Sequence, residues 1–269
     1  MGAARGVKRQ ELLLVGGLAG VLAGFALFVA EQARRAPPRA RAPSAPVEDT
    51  ALASEPEGLG LSRLKRSALP PPPPRDYADI RARLVAAKGV TYMDAILAQR
   101  GNNVARWVDR RDNPVTVWIQ PKPRINGFWP EFRDRARDAF YTWAAAGVPV
   151  KFLFIDDSTS AEVRVRWVDR FRDAAAGKTY WSRDQNWWIV EADVELATHR
   201  STGEAYDQLM VRTIALHEVG HLLGLDHSPN PDDIMSPRVH VMGLSASDLR
   251  TASLVYKLPP GSVTAPDAK

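Results

Sequence analysis

The chain has 269 residues, 45% hydrophobic and 25% charged, which suits one globular core plus a tail, while 21 prolines exceed the usual share and mark an unstructured stretch. There is no cysteine, so disulfide scaffolds, thiolate metal sites, iron–sulfur clusters and thiol nucleophiles are excluded, and any metal must be held by His, Asp or Glu. The net charge of +5 sits wholly in residues 1–75, with 11 Lys/Arg against 6 Asp/Glu, whereas residues 76–269 carry 25 of each; no nucleic-acid partner is expected.

Residues 1–11 form a short basic N-terminus. From Leu12 to Ala30 the chain runs nineteen residues without a charge, long enough to cross a bilayer as a helix. An uncleaved anchor is favoured over a signal peptide, whose apolar stretch is shorter and whose exit here would be Gly24-Phe25-Ala26. The expected location is thus at a membrane with the bulk of the chain outside the cytoplasm, and secretion after cleavage is the second choice. Gly16, Gly20 and Gly24 share one face at four-residue spacing and would permit a weak homodimer. Residues 31–75, with Pro37, Pro38, Pro43, Pro46, Pro56 and the run Pro70 to Pro74, read as a disordered linker ending in a polyproline II rod.

Residues 76–112 carry Ile80, Leu84 and Val85, then Met93, Ile96 and Leu97, at helical spacing, and read as a short helical arm or prosegment. The domain proper is expected over 113–269. A strand is predicted at Val115 to Ile119, then a helix with Pro130 in its first turn and Phe132, Ala136, Phe140 and Trp143 on its apolar face, stopped by Gly147. Strands follow at Val150 to Ile155, Val163 to Val168 and Trp188 to Leu196, a strong helix at Tyr206 to Leu223, and a final helix from Ser245 to Tyr256. This order predicts an α/β (α+β) fold with a single mixed sheet and few helices. All eight tryptophans lie in residues 76–269 and read as core.

Within the strong helix and its exit stand His217, Glu218, His221, Gly224 and His227, in the pattern H-E-x-x-H-x-x-G-x-x-H. A spacing of four puts His217 and His221 on one helical face, one turn apart, so both imidazoles can address one metal. Glu218 is rotated by about 100° from His217, which sets its carboxylate beside the metal. Gly224 can adopt a left-handed conformation that ends the helix and returns the chain, bringing His227 to a third position. Three imidazoles leave a fourth position open for water, the form of a catalytic site and not a structural one. His199 and His240 each stand alone and read as solvated or hydrogen-bonded.

The motif resembles that of the metzincin zinc peptidases. Ser228 directly after the third His, and Asp233-Ile234-Met235-Ser236-Pro237 beyond it, are similar to the matrixin branch, the family of the matrix metalloproteinases. The resemblance covers roughly 114–256. It implies a zincin-like sheet with an active-site helix and a closing helix, and one catalytic zinc held by His217, His221 and His227. It further implies hydrolysis of protein or peptide substrates with Glu218 as general base, a tight methionine turn at Met235, and Pro237 lining the S1′ pocket. Substrate would lie extended along an edge strand, for which 188–196 is the candidate. Latency through a prodomain cysteine is ruled out, and no histidines before His199 match a second, structural zinc. Calcium is not predicted; Asp156, Asp157 and Asp193 read as solvated carboxylates. The alternative function is a non-catalytic, zinc-stabilised envelope binding module, against which an intact Glu218 argues.

Overall fold

The computed structural model describes residues 47–48 and 69–265. The apolar run 12–30 with its three glycines, and most of the linker, lie outside these residues. Among the described residues no helix is long and apolar enough to cross a membrane.

In chain order the elements are β1 (Val47–Glu48), α1 (Tyr77–Ala87), α2 (Met93–Gln99), β2 (Asn103–Val104), β3 (Arg110–Ile119), α3 (Phe132–Ala144), β4 (Val150–Phe154), β5 (Val163–Val168), β6 (Gly177–Arg183), β7 (Ile189–Ala197), α4 (Gln208–Leu222), β8 (Arg238–Val239), α5 (Ala246–Lys257) and β9 (Gly261–Ser262). β1 pairs with β8 and β2 with β9 as two-residue ladders. The main sheet has the order β4-β3-β5-β7-β6, parallel except for β6, which runs antiparallel to β7.

Two features of this sheet differ from the sequence expectation. β6 was not foreseen, although Gly177, Thr179 and Trp181 alternate inward along it. β7, the candidate substrate edge, is instead an interior strand between β5 and β6; the outer strand on that side is β6. The pattern of β7 fits an interior position, because most of its residues on both faces are buried, as a strand covered from both sides requires. Pro114 falls inside β3, where the register to β4 shifts, the irregularity that lets a sheet tolerate a missing N–H.

α3 buries Phe132, Ala136, Ala139, Phe140 and Trp143 on one face and packs against α4, where the Trp143 indole N–H donates to the Leu216 carbonyl at 2.7 Å. The N-terminal arm is part of the same core: Ile80, Met93, Ile96, Leu97 and Trp107 are buried together with the sheet and α4. Each fully buried Ile or Met side chain contributes about 1.5–3 kcal/mol. Docking of the arm is therefore comparable in size to the net stability of a whole domain. The proline run also touches this body, since Trp188 donates to the Pro70 carbonyl at 2.9 Å and Arg75 to that of Pro260 at 2.7 Å.

Candidate metal centre

α4 starts at Asp207, whose carboxylate accepts the Met210 N–H at 2.8 Å, and ends in a Schellman turn. In that turn Gly224 N donates to His221 O at 2.9 Å and Leu225 N to Gly220 O at 3.0 Å. Gly224 has φ +92°, and a Cβ built there would lie 2.2 Å from the Ala105 carbonyl oxygen. A side chain is thus forbidden both by the left-handed backbone and by the arm behind it.

The turn delivers His227 to the two helical histidines, and ligand atoms of all three lie within 4.8 Å of one another. The Nε2 atoms of His217 and His221 are 3.0 Å apart. Their Nδ1 atoms face backbone carbonyls, Ile234 O at 2.7 Å and Leu225 O at 3.2 Å. A carbonyl only accepts, so each Nδ1 carries the proton and both Nε2 lone pairs point toward the same place. Two acceptors this close fit a shared cation: tetrahedral zinc with Zn–N near 2.0–2.1 Å sets neighbouring nitrogens about 3.3 Å apart. The donor set therefore fits zinc.

The return segment is stapled from within. Ser228 N donates to Met235 O at 2.8 Å and Ser228 Oγ to Asp233 at 2.6 Å, while Ser245 Oγ reaches Asp233 at 2.7 Å. Asp248, in the capping box that starts α5, accepts the N–H groups of Ile234 at 2.9 Å and Ser245 at 2.8 Å, and the Tyr92 hydroxyl at 3.1 Å. Burial, reinforced by the Asp248 charge, pushes the Tyr92 hydroxyl well above its usual range and keeps it a donor. Met235 is fully buried, and its sulfur lies where a Cβ on Gly220 would come within 2.2 Å. The thioether packs on the helix between the levels of His217 and His221.

Glu218 is buried, and its carboxylate faces β6, where Thr179 Oγ1 donates to Oε2 at 2.6 Å. A Cβ on Gly177 would stand 2.3 Å from Glu218 Oε1, so the strand needs glycine there to admit the carboxylate. Thr179 and Gly177 were not singled out from sequence. Their signal is the inward alternation Gly177, Thr179, Trp181, masked by the interleaved Lys178, Tyr180 and Ser182.

Pro237 is exposed on the surface after the methionine turn. His199 Nδ1 stands 2.9 Å from Asp169 Oδ1, which can only accept, and His240 is exposed. Asp193 is not solvated: it is buried on β7 and pairs with Arg164 at 3.1 Å and with Arg166. Asp157 is exposed and accepts from Thr159 and Ser160 in its own turn. Trp129 is 58% exposed, unlike the core role expected of every tryptophan.

A model of the matrixin family matches residues 107–257. The chain is similar to metalloendoproteinase 1 of Glycine max, 24% identical over 170 residues, which cover 54% of this chain and 51% of that protein. It is 26% identical to metalloendoproteinase 1-MMP of Arabidopsis thaliana over 141 residues, covering 45% and 36%. Over 64 residues it is 38% identical to metalloendoproteinase 2-MMP of the same plant, covering 24% and 15%. The chain spans about half or less of the length of these curated relatives.

Proposed function

The chain belongs to the matrixin family, and from that premise we propose that it is a zinc-dependent endopeptidase in which His217, His221 and His227 hold the ion and Glu218 is the general base. The observation that carries this reading is the convergence of three imidazoles within 4.8 Å, two of them on the helix that also carries the buried Glu218 carboxylate. Zinc bound there supplies a Lewis acid that acidifies water and polarises the scissile carbonyl.

The chain's own groups do the rest. The Glu218 carboxylate takes the proton of the attacking water and returns it to the leaving amine nitrogen, a role typically worth about 10²–10⁴ in rate. Thr179, donating to Oε2, fixes the orientation of that carboxylate. The outer edge of β6 offers backbone N–H and C=O groups to an extended substrate, which would add as a further strand. Pro237 would border the pocket for the side chain after the cleaved bond. The segment 12–30 and the linker would tether the domain outside the membrane, which protease accessibility in intact against opened cells would test.

The decisive experiment compares cleavage of a peptide library by the zinc-loaded protein and by its Glu218→Ala variant. Cleavage is expected from the first and not the second, with zinc retained in both. If the wild-type protein holds zinc yet cleaves no peptide, the binding-module alternative replaces this proposal.

A further inference from the structure

The carbonyls at the end of α4 are capped by side chains from distant parts of the chain. Trp107 donates to Leu222 O at 2.9 Å and Tyr256 to Leu223 O at 3.1 Å. The next two carbonyls, Gly224 and Leu225, are both taken by Arg100, through Nη1 at 2.7 Å and Nη2 at 3.0 Å. Arg100 follows α2 and precedes the family-matching region. Its guanidinium is buried, with Nε 3.3 Å from Asp226 Oδ2, and lies over the Trp181 ring of β6 at 5.3 Å. Asp226 in turn accepts the His227 backbone N–H at 2.9 Å, and the Gln99 side-chain amide lies against the same carboxylate, to which only its NH2 group can donate. The Leu225 carbonyl that takes Nη2 is also the one that orients His221 Nδ1.

We propose that Arg100 is a positioning residue for the metal centre: its planar fork fixes the Gly224 to Asp226 turn, and through it the His221 ring and the His227 backbone, against the outer strand β6. One guanidinium bonds two adjacent carbonyls through separate nitrogens and ion-pairs a carboxylate beside Nε, whereas an ammonium must gather its acceptors around a single nitrogen. A cation at a helix C-terminus is also favourably placed against the dipole. Outer groups that orient ligands usually change metal affinity about 10–100-fold when lost. The proposal rests on the zinc site put forward above but not on the site being hydrolytic.

The test uses the full chain with Arg100→Lys, which keeps the buried positive charge opposite Asp226 while losing the fork. Zinc affinity is measured by competition with a chromogenic chelator at a temperature where the metal-free protein is folded, and the cobalt form is examined by absorption. Affinity about 10-fold weaker or more, with an altered cobalt d–d band, is expected. The double variant Arg100→Met with Asp226→Asn, which removes both charges, should weaken affinity at least as much. Affinity within twofold of wild type and an unchanged cobalt spectrum in Arg100→Lys, even with a lowered melting temperature, would show that the residue only stabilises the fold and would overturn the proposal. A wild-type chain that binds no zinc overturns both the site and this role. Tight zinc binding without peptide cleavage removes the hydrolytic function and leaves the positioning role to be decided by the lysine variant.

Discussion

His217 and His221 are placed by one turn of α4, whereas His227 is placed by contacts that reach across 124 and 125 positions of sequence, from Arg100 to Gly224 and Leu225. The first pair shares one helical face by its spacing of four alone, and each ring is then turned by a carbonyl beyond the helix, Ile234 O for His217 and Leu225 O for His221. The third ligand needs a left-handed glycine, a stapled return loop and the arm packed behind the turn. The difference teaches that half of the site is local and robust, and half is tertiary and depends on parts of the molecule that never approach the metal.

The largest effect should come from breaking the tertiary half at its end point. His227→Ala should abolish peptide cleavage and weaken zinc by more than the 10–100-fold typical of an outer partner, read by chelator competition. A smaller but broader effect is expected from Gly224→Ala, which combines a left-handed backbone with a Cβ 2.2 Å from Ala105 O. It should cost about 2–4 kcal/mol of stability in a denaturant melt, and zinc affinity should fall with it. Thr179→Val removes a hydrogen bond to a charged group, worth about 1.5–3 kcal/mol. It should lower kcat roughly 10–100-fold with little change in KM, and Thr179→Ser should restore it. At the bottom of the scale, His240→Ala should leave zinc binding and turnover at wild-type levels.

The same division explains what could be read from the sequence. The pattern from His217 to His227 is legible because the residues that must meet are ten apart, and the apolar face of α3 follows the helical period, whereas α4 is buried on all sides from Thr213 to Leu222. β6 escaped notice because Lys178, Tyr180 and Ser182 give it a polar surface, and an outer strand needs only one buried face. β7 looked like an edge because a strand's own alternation says nothing about its neighbours; only the pairing of β5 and β6 on either side of it decides that. Arg100 carries no local signal at all, since an arginine after a short helix is usually solvated, and its partners lie beyond a hundred residues away. Asp193 reads as solvated because its arginine partners, 29 and 27 positions away, meet it only through the pairing of β7 with the adjacent strand β5.

The Asp248 carboxylate joins three things at once: the first turn of α5, the Tyr92 hydroxyl, and the Ile234 amide beside the carbonyl that orients His217. The closing helix therefore has no freedom to fray at its start without loosening the floor of the metal site. The Ile234 and Ser245 amide protons, held by one oxygen, are released to solvent by a single opening event, so any agent that pulls at the C-terminal end of the domain acts on the metal's grip as well.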